Sequence, residues 1–284
     1  NKYHLAGVVS APIVDNELAF RIAAETTKGN SPIEYSLPEG DQYPWDPSDF
    51  ESYNVRGKLL WKPSGNDNLT AKLTLASRNE EGQYTNLIST LGTLKYDEPN
   101  GTRIQDTKSW NANLDVNYVI DNTMTLDVLI SQRDYDTKFE AYPIVEWSGD
   151  VDESNTMVEA KLSYDSLDNT FEAIVGLSHF NKKQDTETDS MTRDDDIRTN
   201  AVFFDSKTRL NDQWGLLLGA RYEKDTLERD FDHFRFPIDF TSKEDNDIFL
   251  PKIGLTYASS DNENFGFTVR KGYNAGGVGY NEYK

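Results

Sequence analysis

The stretch Lys108 to Arg133, KSWNANLDVNYVIDNTMTLDVLISQR, restricts the fold more than any other part of the chain. Trp110, Ala112, Leu114, Val116, Tyr118 and Ile120 alternate with Asn111, Asn113, Asp115 and Asn117. After Asp121-Asn122 the pattern resumes: Met124, Leu126, Val128 and Ile130 alternate with Thr125, Asp127, Ser131 and Arg133, and only Leu129 breaks it. A helix repeats every 3.6 residues and cannot hold this pattern. A strand repeats every two, so one face becomes apolar and the other polar. The stretch is a hairpin of two unusually long strands.

The rest of the chain repeats it. Tyr3–Ala11 and Leu18–Lys28, Ser52–Lys62 and Leu69–Asn79, Asn155–Asp165 and Thr170–Phe180 read as hairpins around short turns. So do Ile197–Leu210 and Gln213–Leu227, then Ile248–Ala258 and Asn264–Gly272. The result is about twelve strands in six hairpins, one roughly every 50 residues. Between hairpins the segments are long: 29–51, 80–106, 136–153, 182–196 and 228–247. Structureless loops of that length are uncommon in compact soluble domains, whereas short turns at one end and long loops at the other mark an outer-membrane barrel.

Charge agrees with this division. The net charge is −20, and the long segments carry nearly all of it. Such acidity disfavours nucleic acid as a partner, because phosphate binding needs Lys and Arg. A mean hydropathy of −0.71 leaves no run of about 18 apolar residues for a membrane helix, a test that a barrel strand escapes. The first residues, NKYHLAGVVS, do not form a signal peptide. With no cysteine, disulfides and thiolate metal sites are excluded.

Both faces have identifiable surroundings. Runs such as Leu69/Ala71/Leu73/Leu75 and Trp214/Leu216/Leu218/Ala220/Tyr222 build the apolar face, opposite Arg21, Arg56, Lys58, Lys72, Arg78, Glu159, Lys161, Arg221, Glu223, Lys252 and Arg270. The charged face is too polar for a dry core and suits a water-filled lumen. Trp61, Tyr118, Tyr164, Phe171, Trp214, Tyr257 and Phe265 end the apolar stripes near the short turns; Tyr53, Trp110, Tyr222 and Phe249 end them near the long segments. Two aromatic belts around an aliphatic band mark the two membrane interfaces. The expected class is therefore all-β, an antiparallel transmembrane β-barrel meander. The competing readings are a passive porin-like barrel and a soluble β-sheet module that binds a ligand or glycan.

Two segments go beyond pattern. Gly7–Arg21, GVVSAPIVDNELAFR, resembles the first barrel hairpin of TonB-dependent outer-membrane receptors, with Ala11 where the family usually has glycine. Phe249–Tyr257, FLPKIGLTY, followed by Phe267–Gly277, FTVRKGYNAGG, resembles a mid-barrel hairpin of the same family. The resemblance implies a barrel of the 22-strand type, with an N-terminal plug inside and TonB as energy source. It implies uptake of a ferric siderophore or, less often, haem, cobalamin or a sugar. Residues 1–284 then hold about the first half of the barrel, and the plug and the C-terminal strands are expected to be absent. The implied partners are outer-membrane lipid and lipopolysaccharide, the protein's own plug domain, TonB and a small-molecule ligand.

No nucleophile–base arrangement or phosphate loop is present, and the expectation is a protein that is not an enzyme. Long-loop aromatics Tyr35, Tyr43, Trp45, Tyr142, Trp147, Phe234 and Phe236 are candidates for ligand contact or for packing loops together. Arg78, Arg133 and Arg221, on the polar face, are candidates for an anionic ligand through charge-assisted bonds, or for pairing with nearby carboxylates. Asp185, Glu187 and Asp189 place carboxylates densely enough to consider calcium or magnesium, or divalent bridging to lipopolysaccharide. An EF-hand is excluded because Ser190 stands where that loop needs glycine. No covalently bound cofactor is expected.

Overall fold

The computed structural model describes residues 2–36, 40, 42–83, 92–97, 101–143, 148–260 and 263–273. Among the described residues fourteen strands form: β1 (Lys2–Val14), β2 (Leu18–Asn30), β3 (Glu34–Ser36), β4 (Asp49–Trp61), β5 (Leu69–Gln83), β6 (Lys95–Asp97) and β7 (Gly101–Val119). They continue with β8 (Met124–Pro143), β9 (Gly149–Asp165), β10 (Phe171–Thr188), β11 (Met191–Arg209), β12 (Trp214–His233), β13 (Ile238–Ser260) and β14 (Glu263–Arg270). Twelve of them make one antiparallel sheet in sequence order, and β3 pairs separately with β6 in parallel.

The short turns are built by their own side chains. Asp121 Oδ1 accepts the amides of Thr123 and Met124 at 2.7 and 2.9 Å. Asn211 Oδ1 does the same for Gln213 and Trp214 at 2.9 and 2.8 Å. Asn16 and Asn169 take the left-handed φ values of 59° and 54° that Asn tolerates better than other side chains.

Register places each side chain on a face. Leu75, Ala112 and Gln132 stand in line on the apolar side, and Ala76, Asn111 and Arg133 stand in line on the other. Among the described residues few hydrophobics are buried, chiefly Tyr96, Ala141, Ala201, Phe231 and Ile248, while Leu5, Ile22, Val55, Leu75, Leu177, Ile253 and Phe267 are exposed. Among the described residues the only other sheet is the short β3–β6 pair, which does not pack across this face, so the two-sheet sandwich is not formed. Soluble monomers rarely expose apolar patches beyond a few hundred Å². The face is a lipid surface, and the belt residues Trp61, Trp110, Trp214, Tyr222 and Phe249 point outward along its two margins.

One expectation is corrected. Segments 182–196 and 228–247, and most of 136–153, are not loops: β10 and β11 stay paired from Phe171↔Thr208 to Glu187↔Thr192, β12 and β13 from Trp214↔Tyr257 to His233↔Ile238, and β8 and β9 as far as Phe139↔Gly149. Beyond the outer belt both faces meet water, so hydrophobic alternation disappears. The backbone still needs partners, and the ladder continues through polar, threonine-rich sequence.

Candidate functional site

Extended strands present three surfaces beyond the membrane: an outward face, an inward face and the tips. Most of the acidity lies outward. Asp136 pairs with Asp152, Asp152 with Asp185, Asp185 with Asp194 and Asp194 with Asp230, a row of carboxylates across β8 to β12. Beside it, a groove of about 530 Å³ contains Trp110, Lys108, Lys183, Asp134, Asp136, Asp152 and Asp185. Partial burial, then the neighbouring Asp136 carboxyl, pushes Asp152 above its ordinary pKa. Burial and then the carboxylates of Asp185, Asp230 and Asp195 do the same to Asp194.

Asp185 and Glu187 lie two residues apart on one face of β10, and Asp189 sits at the β10–β11 tip. Among the described residues no group of three or more His, Asp or Glu is placed to hold a metal ion. The three carboxylates therefore do not assemble, because an extended strand spaces alternate residues about 6.6 Å apart.

Inward, Arg78, Arg133 and Arg221 stand on β5, β8 and β12 and do not converge. Arg78 pairs with Glu80 on its own strand. Arg133 lies 5.7 Å over the Tyr135 ring. Arg221 bonds Glu223 at 2.5 Å and reaches Ser178 Oγ at 3.4 Å, with its guanidinium 5.8 Å over the Phe203 ring. The Phe203 ring reaches over Gly176, where an added Cβ would collide with its Cζ and Cε2 atoms. Arg221 lines an inward groove of about 570 Å³ with Lys161, Lys252, Arg270, Glu159 and Asp205, and Lys252 is bonded to Asp205. Sequence reading identified Arg221 but not the Phe203–Gly176 stack, which only the register creates.

Nearer the tips the inward face becomes a small core. Asp195 is 7% exposed and binds Arg229 through both oxygens, at 2.6 and 2.9 Å. Phe231 stacks on Phe240 at 5.2 Å. His233 Nδ1 accepts the amides of Arg235 and Phe236 at 3.3 and 3.2 Å, which shapes the β12–β13 turn. That turn exposes Phe234 (57%) and Phe236 (49%).

Tyr43 and Trp45 come together on Tyr142, edge-on at 6.1 and 6.5 Å. Trp45 also shares a small groove with Lys28, Glu51, Glu81 and Ile104, which point outward by register. The first long segment is thus fastened to the outer side of the wall, and Tyr35 and Tyr96, 5.8 Å apart at the β3–β6 pair, join it to the second. Trp147 lies outside the described residues.

An antiparallel meander with a lipid-facing exterior, two aromatic belts and a charged inner wall defines an outer-membrane β-barrel of the large kind. Residues 12–283 match the family described as TonB dependent receptor-like, beta-barrel, and the chain belongs to it. It is an outer-membrane protein of the Gram-negative type. The fold resembles the ferric yersiniabactin uptake receptor FyuA of Yersinia pestis, with TM-score 0.76, 14% identity and coverage of 92% of this chain and 43% of that one. It also resembles the siderophore receptor PiuA of Acinetobacter baumannii, with TM-score 0.72, 11% identity and coverage of 94% and 46%. The ferric-catecholate import receptor Fiu of Escherichia coli matches at TM-score 0.72, 11% identity and coverage of 95% and 49%. The chain spans less than half the length of each of these proteins.

Proposed function

We propose that this chain forms part of the barrel of a TonB-dependent receptor that carries a ferric siderophore across the outer membrane. The observation that supports it most is the match of nearly the whole chain to the receptor family, joined to the long strand extensions that raise a binding surface above the membrane. In this reading the rest of the barrel, a plug domain inside it and TonB complete the machine. The ligand contacts exposed tip aromatics such as Phe234 and inward cations including Arg133 and Arg221, with Arg78 and Trp147 as further candidates, while Tyr43 and Trp45, packed on Tyr142 at the outer side of the wall, hold the first long segment in place. An anionic ferric chelate matches the cationic inward groove through charge-assisted bonds.

The outward carboxylate row faces the lipopolysaccharide headgroups. There, calcium or magnesium would neutralise both surfaces at once. This puts the acidity to work on the membrane side and leaves ligand choice to the inward face and the tips.

Uptake of radiolabelled ferric chelates by cells with and without the full-length gene tests the reading. The expected result is uptake of at least one chelate that stops when the proton-motive force is collapsed. Uptake that persists without it would indicate a passive barrel. Absence of iron-chelate uptake alongside energy-dependent uptake of haem, cobalamin or a sugar would replace the ligand and keep the receptor.

A further inference from the structure

The β12–β13 turn is closed by a group that can change charge. At the short turns, Asp121 accepts the amides two and three residues ahead of it, and Asn211 does the same. His233 takes the equivalent place at the other end of the sheet: its Nδ1 accepts the amides of Arg235 and Phe236, again two and three residues ahead. In the first two turns the acceptor is a carboxylate or amide oxygen, which keeps its lone pairs near neutral pH. In the third it is a ring nitrogen, which accepts only while no proton occupies it. The turn as built therefore contains a neutral imidazole.

The surroundings fix the ring and do not welcome a charge. His233 is buried, with the Phe236 ring 4.9 Å and the Phe231 ring 6.4 Å from the imidazole. Met191 stands opposite it on β11 and Ile238 on β13, so neither flanking rung supplies a carboxylate. The charged groups of the same inward face are Arg193 and Asp195 on β11, Arg229 on β12 and Glu244 on β13, and the tips add Asp189 and Arg235. Asp195 is already bound by Arg229, with Arg193 at 3.5 Å, and Glu244 lies six residues along β13 from Ile238. Asp232 and Asp239 oppose each other on the outward face. Protonation of the ring would take the acceptor from two amides and add positive charge to a face that already carries Arg193 and Arg229. The turn so affected carries the exposed Phe234 and Phe236, and it is tied to the β10–β11 tip through the Phe234 amide, which donates to the Ser190 carbonyl at 2.8 Å.

We propose that His233 is a pH-sensitive latch for the aromatic tip: a neutral imidazole holds the turn that presents Phe234 and Phe236, and a protonated one opens it. Its use rests on the receptor reading, in which Phe234 contacts the ligand; capture then weakens as the surroundings acidify. Imidazole changes charge between about pH 5 and 8, above the carboxylate range. The two amide bonds are present while the ring is neutral and are lost as pH falls. The sign is opposite to that of the outward carboxylate row, where protonation eases repulsion, and the place is different, since the row runs along the other face.

Amide exchange at residues 235 and 236 of the purified full-length protein, at about pH 8 and about pH 5.5, tests the latch across the imidazole range. Two variants measured beside it at each pH cancel the intrinsic pH dependence of exchange. His233→Asn supplies an oxygen that does not titrate, in the arrangement that Asn211 already uses. His233→Phe fills the space without an acceptor. At the higher pH the unaltered protein should match His233→Asn and exchange about tenfold more slowly than His233→Phe, the scale of one to two hydrogen bonds. At the lower pH it should match His233→Phe. If His233→Asn fails the heat-dependent mobility control for folding, the gap between the unaltered protein and His233→Phe decides, and it should close on acidification. A gap that stays constant would overturn the proposal. So would an equal pH step in His233→Asn, which would assign the step to a carboxylate such as Asp189 or Asp195. The uptake assay judges the receptor reading separately: absence of energy-dependent uptake counts against that reading, and the exchange result still decides the latch.

Discussion

Asp152 lies directly across the ladder from Asp185, and both side chains turn outward above the membrane. Asp136 flanks the pair on β8 and Asp194 on β11, so four carboxylates stand in line. Partial burial and the adjacent Asp136 raise the Asp152 carboxyl, and burial and Asp185 raise that of Asp194. A carboxyl raised on folding binds protons more readily in the folded state. Its contribution is therefore fully present below the unfolded pKa and lost as pH rises through the folded one. The strand extensions should be loosest at neutral pH and tighten as pH falls towards the carboxylate range. Asp152→Asn should stabilise them at pH 7 by about 0.2–1 kcal/mol, the usual scale for an opposed pair, and flatten the pH dependence. Amide exchange in β9 and β10 at two pH values checks this; an unchanged or faster exchange in the variant would show that the row is not under repulsion. Millimolar magnesium should protect the unaltered protein more than the variant.

Gly176 is held by contact with Phe203. An added Cβ would collide with the ring's Cζ and Cε2 atoms and meet the Ala160 carbonyl oxygen at 2.9 Å. Gly176→Ala forces the ring off the wall and takes away the surface under Arg221, at a cost of about 1–3 kcal/mol for overpacking. The expected readout is a lower temperature for the heat-dependent mobility shift. Phe203→Ala paired with Gly176→Ala should recover part of the loss, because the clash is gone. If the single variant melts like the unaltered protein, the ring has room to move and the stack does not hold Arg221.

Sequence pattern and structure agree where lipid is present and part where it is not. Between the belts, alternation such as Leu69/Ala71/Leu73/Leu75 places every residue, and Arg78, Arg133 and Arg221 fall on the inward face as their parity requires. Past the belts, NKKQDTET of β10 has no apolar face to reveal a strand, yet it pairs rung by rung with β11. That the acidity points sideways is a property of register, which links Asp136, Asp152, Asp185, Asp194 and Asp230 across five consecutive strands. The placement of Trp45 against the outer wall depends on how one segment folds over another, and no local pattern encodes that.

Asp195 and Arg229 form the most buried ion pair of the upper inner wall, with side-chain exposures of 6% and 19%. Removing one partner leaves a charge poorly solvated, so Asp195→Ala should cost about 2–4 kcal/mol, locally in β11 and β12. Asp195→Leu with Arg229→Met should cost less, since the arginine left without Asp195 is then only Arg193, 3.5 Å from it and 30% exposed. Amide exchange at residues 191–197 and 227–233 is the appropriate measurement. Equal exchange in the single and double variants would mean that the pair contributes through packing alone.

Phe234 and Trp45 separate two ways for an outer-membrane aromatic to matter. Phe234 is exposed on a turn shaped by His233, and its neighbour Phe236 packs 4.9 Å from the imidazole. Trp45 is edge-on to Tyr142 against the outer side of the wall. If recognition occurs at the inward face and tips, Phe234→Ala should weaken binding of the ferric chelate about tenfold, the loss of one aromatic anchor of roughly 1.4 kcal/mol. His233→Ala should weaken it comparably without touching the ligand, by releasing the turn. Trp45→Ala should leave affinity within about twofold while raising proteolysis of the first long segment, because its role there is packing. Equilibrium binding to purified full-length receptor, with limited proteolysis alongside, distinguishes the roles. A tenfold loss in Trp45→Ala with none in Phe234→Ala would move recognition to the first segment.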